Sequence, residues 1–373
     1  MPDSGSVRTE DALIASRSYE SGKHKEGKSS SYNFDGKAQE TLADTHLDLD
    51  RKMSRFPGNY GPVIELQVLE GSLYVAYSSF GVQIFSLLDT SSEAMARYSS
   101  SCLHCMTVAK LKGCTTLVTG LGGKLSFCDT QKQPRELDQV SFDMGTPVKC
   151  LLMLEHIIYV GLATGEISVF DTKKMTETDR FICCDHPIHC LAPAQEGSSK
   201  LLCVSSQDGT ILIVNAHTSL PLRILTGHTK TSFSLQVDGP FVYSGSGDSC
   251  VIIHNLHTGV VEHSIHDNQG LVKTVCYNNG FLFTGGMDRL VRCYDTKTRK
   301  LVQVYYGAER GVITKIFVYN NMLITGNITG AVDCVELDVK AKHRCHKGCK
   351  LKFGNRSHLF WHLLEDHNIT TMT

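Results

Sequence analysis

The feature that most constrains this chain is a pattern that returns at near-constant intervals. A hydrophobic strand, a Gly-bearing turn, a second apolar strand and a closing acidic or polar residue occur together seven times. The copies read YVAYSSFGVQIFS, LVTGLGGKLSFCD, YVGLATGEISVFD, LCVSSQDGTILIVN, VYSGSGDSCVIIHN, LFTGGMDRLVRCYD and LITGNITGAVDCVE. They end at Ser86, Asp129, Asp171, Asn215, Asn255, Asp295 and Glu336, in steps of 43, 42, 44, 40, 40 and 41 residues. Further apolar runs such as VIELQVLEG, VKCLLMLEH, LVKTVCYNN and VITKIFVYN precede the copies, and no sustained helical periodicity interrupts them. A unit of this length with several strands cannot bury its sheet faces alone. A period of about 40–45 residues is that of one β-propeller blade. The expected fold is therefore all-β, a single closed seven-bladed propeller over residues 51–339.

These repeats resemble the WD-repeat family, in degenerate form. There is no Trp-Asp pair anywhere, and pairs such as Phe170-Asp171 and Tyr294-Asp295 take its place. Gly227-His228 matches the family's Gly-His start. Ser244, Asp248 and His254 stand where the family's hydrogen-bond network has Ser/Thr, Asp and Trp, so the network is expected to lack its last link. The last unit runs out of strands after AVDCVELDV. Its outer strand is expected from the segment around LDLDRKMSRF, which would remove an open sheet edge.

Residues 1–50 differ in texture. Stretches such as SGKHKEGKSSSYNFDGK hold too little apolar surface to offset ordering entropy, and they are read as a disordered tail. The first twenty residues lack the apolar segment of a signal peptide, and no apolar run of about 18 residues marks a membrane span. Lys+Arg is 37 and Asp+Glu is 38, which excludes a wholly basic nucleic-acid coat and leaves any electrostatic attraction to local patches. The 15 Cys are odd in number and scattered, which points to a reducing compartment rather than a disulfide framework.

The chemistry-bearing motif lies in residues 340–369. Cys345 and Cys349, then His362 and His367, have the spacing of a two-Cys, two-His zinc site. Phe353 and Leu359 fall where a ββα C2H2 finger needs its apolar pair. Four protein ligands complete a tetrahedron, so one structural Zn²⁺ is expected, whose binding energy folds the unit. Residues 340–356 carry seven Lys or Arg and no acid. Lys350, Lys352, Asn355, Arg356, His358 and Trp361 are the candidate nucleic-acid contacts. Trp361 cannot read a base edge with paired hydrogen bonds but can stack on an unpaired base. A single finger covers about three base pairs, so sequence-specific duplex DNA is not expected.

A degenerate WD propeller followed directly by one finger resembles a family of larger nuclear zinc finger proteins. That resemblance implies a nuclear, RNA-binding, non-enzymatic scaffold with protein partners at the propeller loops. The alternative is a substrate receptor of a ubiquitin ligase. Receptors of that kind carry a Trp-Asp-x-Arg signature, which Phe170-Asp171-Thr172-Lys173 and Tyr294-Asp295-Thr296-Lys297 approximate. Cys102 and Cys105 have metal-like spacing but no second Cys pair, and the Gly-rich runs TGLGGK and SGSGDS are read as turns between strands rather than phosphate loops. No strong catalytic triad or carboxylate pair stands outside the repeats. Cys349→Ser should abolish one bound zinc per chain, measured by metal analysis, while the propeller's melting transition barely moves. A shared loss of both would show that the finger is not an independent unit.

Overall fold

The computed structural model describes residues 53–56, 60–87 and 94–337, apart from 101, 134, 307–310 and 321, together with residues 343–344 and 352–353. Every named element among them is a strand. The chain enters with β1 (Met53–Phe56). Blade one is β2 (Val63–Leu69), β3 (Ser72–Tyr77), β4 (Gly81–Ser86) and β5 (Ala96–Ser99). Blade two is β6 (Leu103–Leu111), β7 (Cys114–Leu121), β8 (Lys124–Asp129) and β9 (Val140–Asp143). Blade three is β10 (Val148–Leu154), β11 (Ile157–Leu162), β12 (Glu166–Asp171) and β13 (Thr176–Ile182). Blade four is β14 (Ile188–Glu196), β15 (Ser199–Ser206), β16 (Ile211–Asn215) and β17 (Pro221–Leu225). Blade five is β18 (Ser232–Asp238), β19 (Phe241–Ser246), β20 (Val251–Asn255) and β21 (Val261–Ile265). Blade six is β22 (Val272–Asn278), β23 (Phe281–Gly286), β24 (Leu290–Asp295) and β25 (Leu301–Tyr306). Blade seven has β26 (Ile313–Tyr319), β27 (Met322–Asn327) and β28 (Val332–Glu336).

The first strands touch one another in sequence around the ring, and β26 touches β2, so seven blades close on themselves. The second and third strands of each blade read as near-continuous apolar runs because both sheet faces are covered. Ser72–Tyr77, for example, is buried at five of six positions. The core falls into seven apolar clusters, each straddling one junction between neighbouring blades. The cluster between blades two and three, for instance, joins Val118, Leu125 and Phe127 to Val148, Val160 and Phe170.

Closure uses the N-terminal strand, as the sequence suggested. Strand β1 is the fourth strand of blade seven and pairs antiparallel with β28, Met53 opposite Val335 and Phe56 opposite Val332. Phe56 is 3% exposed and its ring lies 4.6 Å from that of Phe85 in blade one. The strand thus completes a sheet and packs the last junction.

The seven repeat anchors each end the third strand of a blade. Five of them cap the corner that follows, through a side-chain oxygen accepting backbone N–H groups. Asp129 accepts from Gln131, Asp171 from Lys173, Asn215 from His217, Asn255 from His257 and Asp295 from Thr298, at 2.6–3.0 Å. Thr130, Thr172 and Thr296, the next residues along, donate their hydroxyls to the carbonyls of Thr115, His156 and Gly280. An Asp-Thr pair therefore recurs because it pins the corner from two sides.

The glycine-rich runs are only partly turns, which corrects the sequence reading. Gly120 and Gly245 lie inside β7 and β19, with equivalents at Gly161, Gly285 and Gly326. A methyl group at any of the five would come within 2.5–2.8 Å of a side chain on a first strand: Cys105, Cys150, Val272, Ile316 and Val63 are the nearest. Only Ala76 and Ser205 replace glycine at this level, in blades one and four. Small residues there let adjacent blades approach.

Beyond the propeller, β29 (His343–Arg344) and β30 (Lys352–Phe353) pair antiparallel. Residues 1–50, read from sequence as a tail, lie outside the described residues. Removing residues 1–40 leaves β1 in place and should preserve solubility and melting. Removing 1–60 deletes β1, exposes the edge of β28 and should cause aggregation, seen by light scattering. Equal behaviour of the two truncations would show that β1 is not needed for closure.

Candidate functional site at the mouth of the central channel

The zinc ligands expected from sequence, Cys345, Cys349, His362 and His367, lie outside the described residues, as do Lys350, Asn355, Arg356, His358 and Trp361. Lys352 is a strand residue of β30. Among the described residues no group of three or more His, Cys, Asp or Glu is placed to hold a metal.

The network of blade five is present in three of its four members. His228 Nδ1 lies 2.9 Å from Asp248 Oδ2, and its Nε2 lies 2.9 Å from Ser244 Oγ. The carboxylate requires a proton on Nδ1, and the Ser244 hydroxyl also reaches the Ile252 carbonyl at 3.2 Å. Asp248 also accepts the amides of Thr229 and Cys250. Burial pushes its carboxyl up, but these amides and His228 outweigh that and hold it below the usual range. His254 does not join; its Nε2 donates to the Thr226 carbonyl at 3.0 Å, and burial lowers its pKa. Blade six solves the same problem differently. Asn268 stands where His228 would, and accepts from Thr284 and Arg292. The Arg292 guanidinium, 8% exposed, pairs with Asp288 at 2.5 Å. Both networks lock a turn and serve packing.

The two segments resembling a ligase signature are corners of this kind. Phe170 is buried in a junction cluster, and Asp171 and Asp295 accept backbone amides. Cys105 packs between blades, with burial as the leading cause of its raised pKa.

A site that no single motif announces lies on the propeller axis. In all seven blades the first strand carries a register shift at its second residue. The residues so displaced are Ile64, His104, Lys149, His189, Phe233, Lys273 and Thr314. A bulge turns a side chain out of the alternation of the sheet. Here that happens seven times at one level, where the inner strands begin, and the result is a ring at one mouth of the channel. Its members touch across blades. Lys273 Nζ lies 4.1 Å from the Phe233 ring centroid, and His189 meets that ring edge-on at 5.6 Å. Burial, and then Lys149, lower the pKa of His104.

One residue deeper comes a second ring: Glu65, Cys105, Cys150, Cys190, Ser234, Thr274 and Lys315. Lys315 of blade seven pairs with Glu65 of blade one at 2.8 Å, across 250 residues of chain. Its charge reaches Cys105, Cys150 and Cys190 in blades two, three and four, because these side chains converge on the axis. Burial works against the Lys315 charge, but Glu65, with Cys190 and Cys276, outweighs it and raises the pKa. Lys273 above has no such relief: burial and then Lys315 lower its pKa, with no carboxylate among the causes. Elsewhere the inner strands are stitched side chain to backbone. Gln67 accepts the Val108 amide at 2.7 Å, Ser234 that of Val275 and Thr274 that of Ile316.

Sequence reading missed this site because its residues are 40 or so apart and individually ordinary. The signal lay in the column formed by aligning the seven inner strands, VIE, LHC, VKC, IHC, SFS, VKT and ITK, whose middle residue is never acidic. The Glu65–Lys315 pair tests the axis directly. Glu65→Gln leaves the part-buried Lys315 ammonium without its carboxylate and should cost about 1–3 kcal/mol in denaturant unfolding. Glu65→Leu combined with Lys315→Met should recover most of that loss; additive losses would show that the two are not coupled.

With this geometry in view, the likenesses to known proteins take their meaning. Residues 219–255, which run from the outer strand of blade four to the end of β20, match the family described as WD domain, G-beta repeat. The chain is 25% identical over 134 residues to the outer membrane protein assembly factor BamB of Taylorella asinigenitalis (strain MCE3). That match spans 35% of each chain, so it covers about a third of the relative's length. Among solved structures, the WD40 β-propeller domain of Doa1 superposes with a TM-score of 0.67 at 17% identity, over 77% of this chain and 97% of that one. The computationally designed Ika8 protein gives 0.58 at 19% identity, over 74% and 83%. At such identities the likeness is one of fold. The described residues thus form an all-β, seven-bladed propeller of the WD40 type, an architecture suited to protein interaction.

Proposed function

We propose that the chain is a non-enzymatic nuclear scaffold. In this reading its propeller loops hold protein partners and its C-terminal finger contacts RNA. The observation that carries the scaffold reading is the closed WD40-type ring, whose networks of Asp, His and Ser are spent on locking turns. For the finger, support comes from the β29–β30 hairpin, whose strands bracket Cys345 and Cys349 in the chain. A two-Cys knuckle needs its thiolates on such a hairpin. His362 and His367 would supply the other two ligands of one structural zinc. Nuclear residence and RNA binding rest on the resemblance to the C-terminal region of zinc finger protein 106.

The test is a titration of single-stranded RNA into the full chain at two salt concentrations. Affinity should fall with salt by a slope of roughly 0.7 per neutralised phosphate. Lys350→Glu with Lys352→Glu should weaken binding to all sequences alike. Trp361→Ala should remove about 1–3 kcal/mol for a stacked base. Equal affinity of all three proteins would exclude the finger as the RNA contact.

A further inference from the structure

The mouth of the channel has an electrostatic character that scaffolding does not require. Of the seven side chains in its ring, Lys149, Lys273, His104 and His189 are basic, and none is acidic. The one carboxylate of the next ring, Glu65, is already paired with Lys315. Asp248 and Asp288, in turns leading to the same end of the propeller, are engaged by the amides, His228 and Arg292. Basic side chains are therefore gathered in a ring that holds no acidic member, and the fields of its two lysines sum over the mouth. Lys273 stands against Lys315, and Lys149 against His104.

The distribution of these charges identifies the shape of the ligand. The basic side chains come from blades two, three, four and six, around the axis, with the Glu65-paired Lys315 of blade seven one residue deeper. An extended strand crossing the mouth would meet only the charges beneath it. A compact body on the axis meets all of them. Phe233, the one aromatic in the ring, already has Lys273 over its face and His189 beside it. It is not an open platform for a base, which disfavours single-stranded nucleic acid at this site. We propose that the channel mouth binds a compact polyanion on the propeller axis, a small molecule bearing several phosphate groups, held by Lys149 and Lys273 with Lys315 beneath.

This site is separate from the finger and stands whether or not the finger binds RNA. The probe is inositol hexakisphosphate, titrated calorimetrically into the full chain. One site per chain is expected, weakening as salt rises. Lys149→Ala with Lys273→Ala should lower affinity at least tenfold while the melting temperature in the absence of probe stays at the wild-type value. Thr314→Glu, which keeps every lysine and adds a carboxylate to the ring, should also weaken binding. Lys350→Glu with Lys352→Glu should leave it unchanged. Absence of binding, or binding that survives the first two variants, would overturn the proposal. So would the same lysine dependence for a phosphoserine peptide or an oligouridine with none for the hexakisphosphate; a linear partner would then own the mouth.

Discussion

Every blade of this protein needs its neighbour. A four-stranded sheet with two apolar faces is insoluble alone, and here both faces are covered only by the next sheets around the ring. The core is accordingly not one mass but seven apolar clusters, each shared between two blades. Such a ring tolerates no missing member. The burial of Phe56 against Phe85 and the β1–β28 ladder fasten the first and last blades, and the Glu65–Lys315 pair crosses the same junction on the axis. The closing contacts thus lie between residues far apart in the chain, where loop-closure entropy is greatest.

The packing rule that brings blades together also builds the channel. Small residues at Ala76, Gly120, Gly161, Ser205, Gly245, Gly285 and Gly326 let each second strand sit against the next blade's first strand. The first strands then converge until their side chains share a common axis. At that radius the bulge at the second position of each inner strand has a collective effect. One such displacement reorients one side chain; seven at one height make a mouth.

Degeneracy of the repeats follows from what each network does. Asp248 and His228 lock a turn in blade five, and Asp288 with Arg292 and Asn268 does so in blade six by a buried ion pair. Different residues meet the same requirement, that a buried turn have its polar groups satisfied. The WD-repeat signature can therefore be incomplete while the architecture stays. His254 illustrates the limit: placed where an indole would donate, it finds the Thr226 carbonyl instead and leaves the fourth link unmade.

The sequence alone determined the blade count, the register of the repeats and the need for an N-terminal closing strand. Each follows from local alternation and from spacing, which chain chemistry imposes directly. The anchors Asp129, Asp171, Asn215, Asn255 and Asp295 were legible for the same reason, since they cap corners within a few residues of themselves. The glycines were misread as turns because their role lies across a blade junction and not in their own backbone. The channel mouth was decided by tertiary structure only. Lys149 and Lys273 are 124 positions apart, and nothing local distinguishes either from a solvated surface lysine. It is the closing of the ring that sets them around one axis and turns separate charges into a shared field.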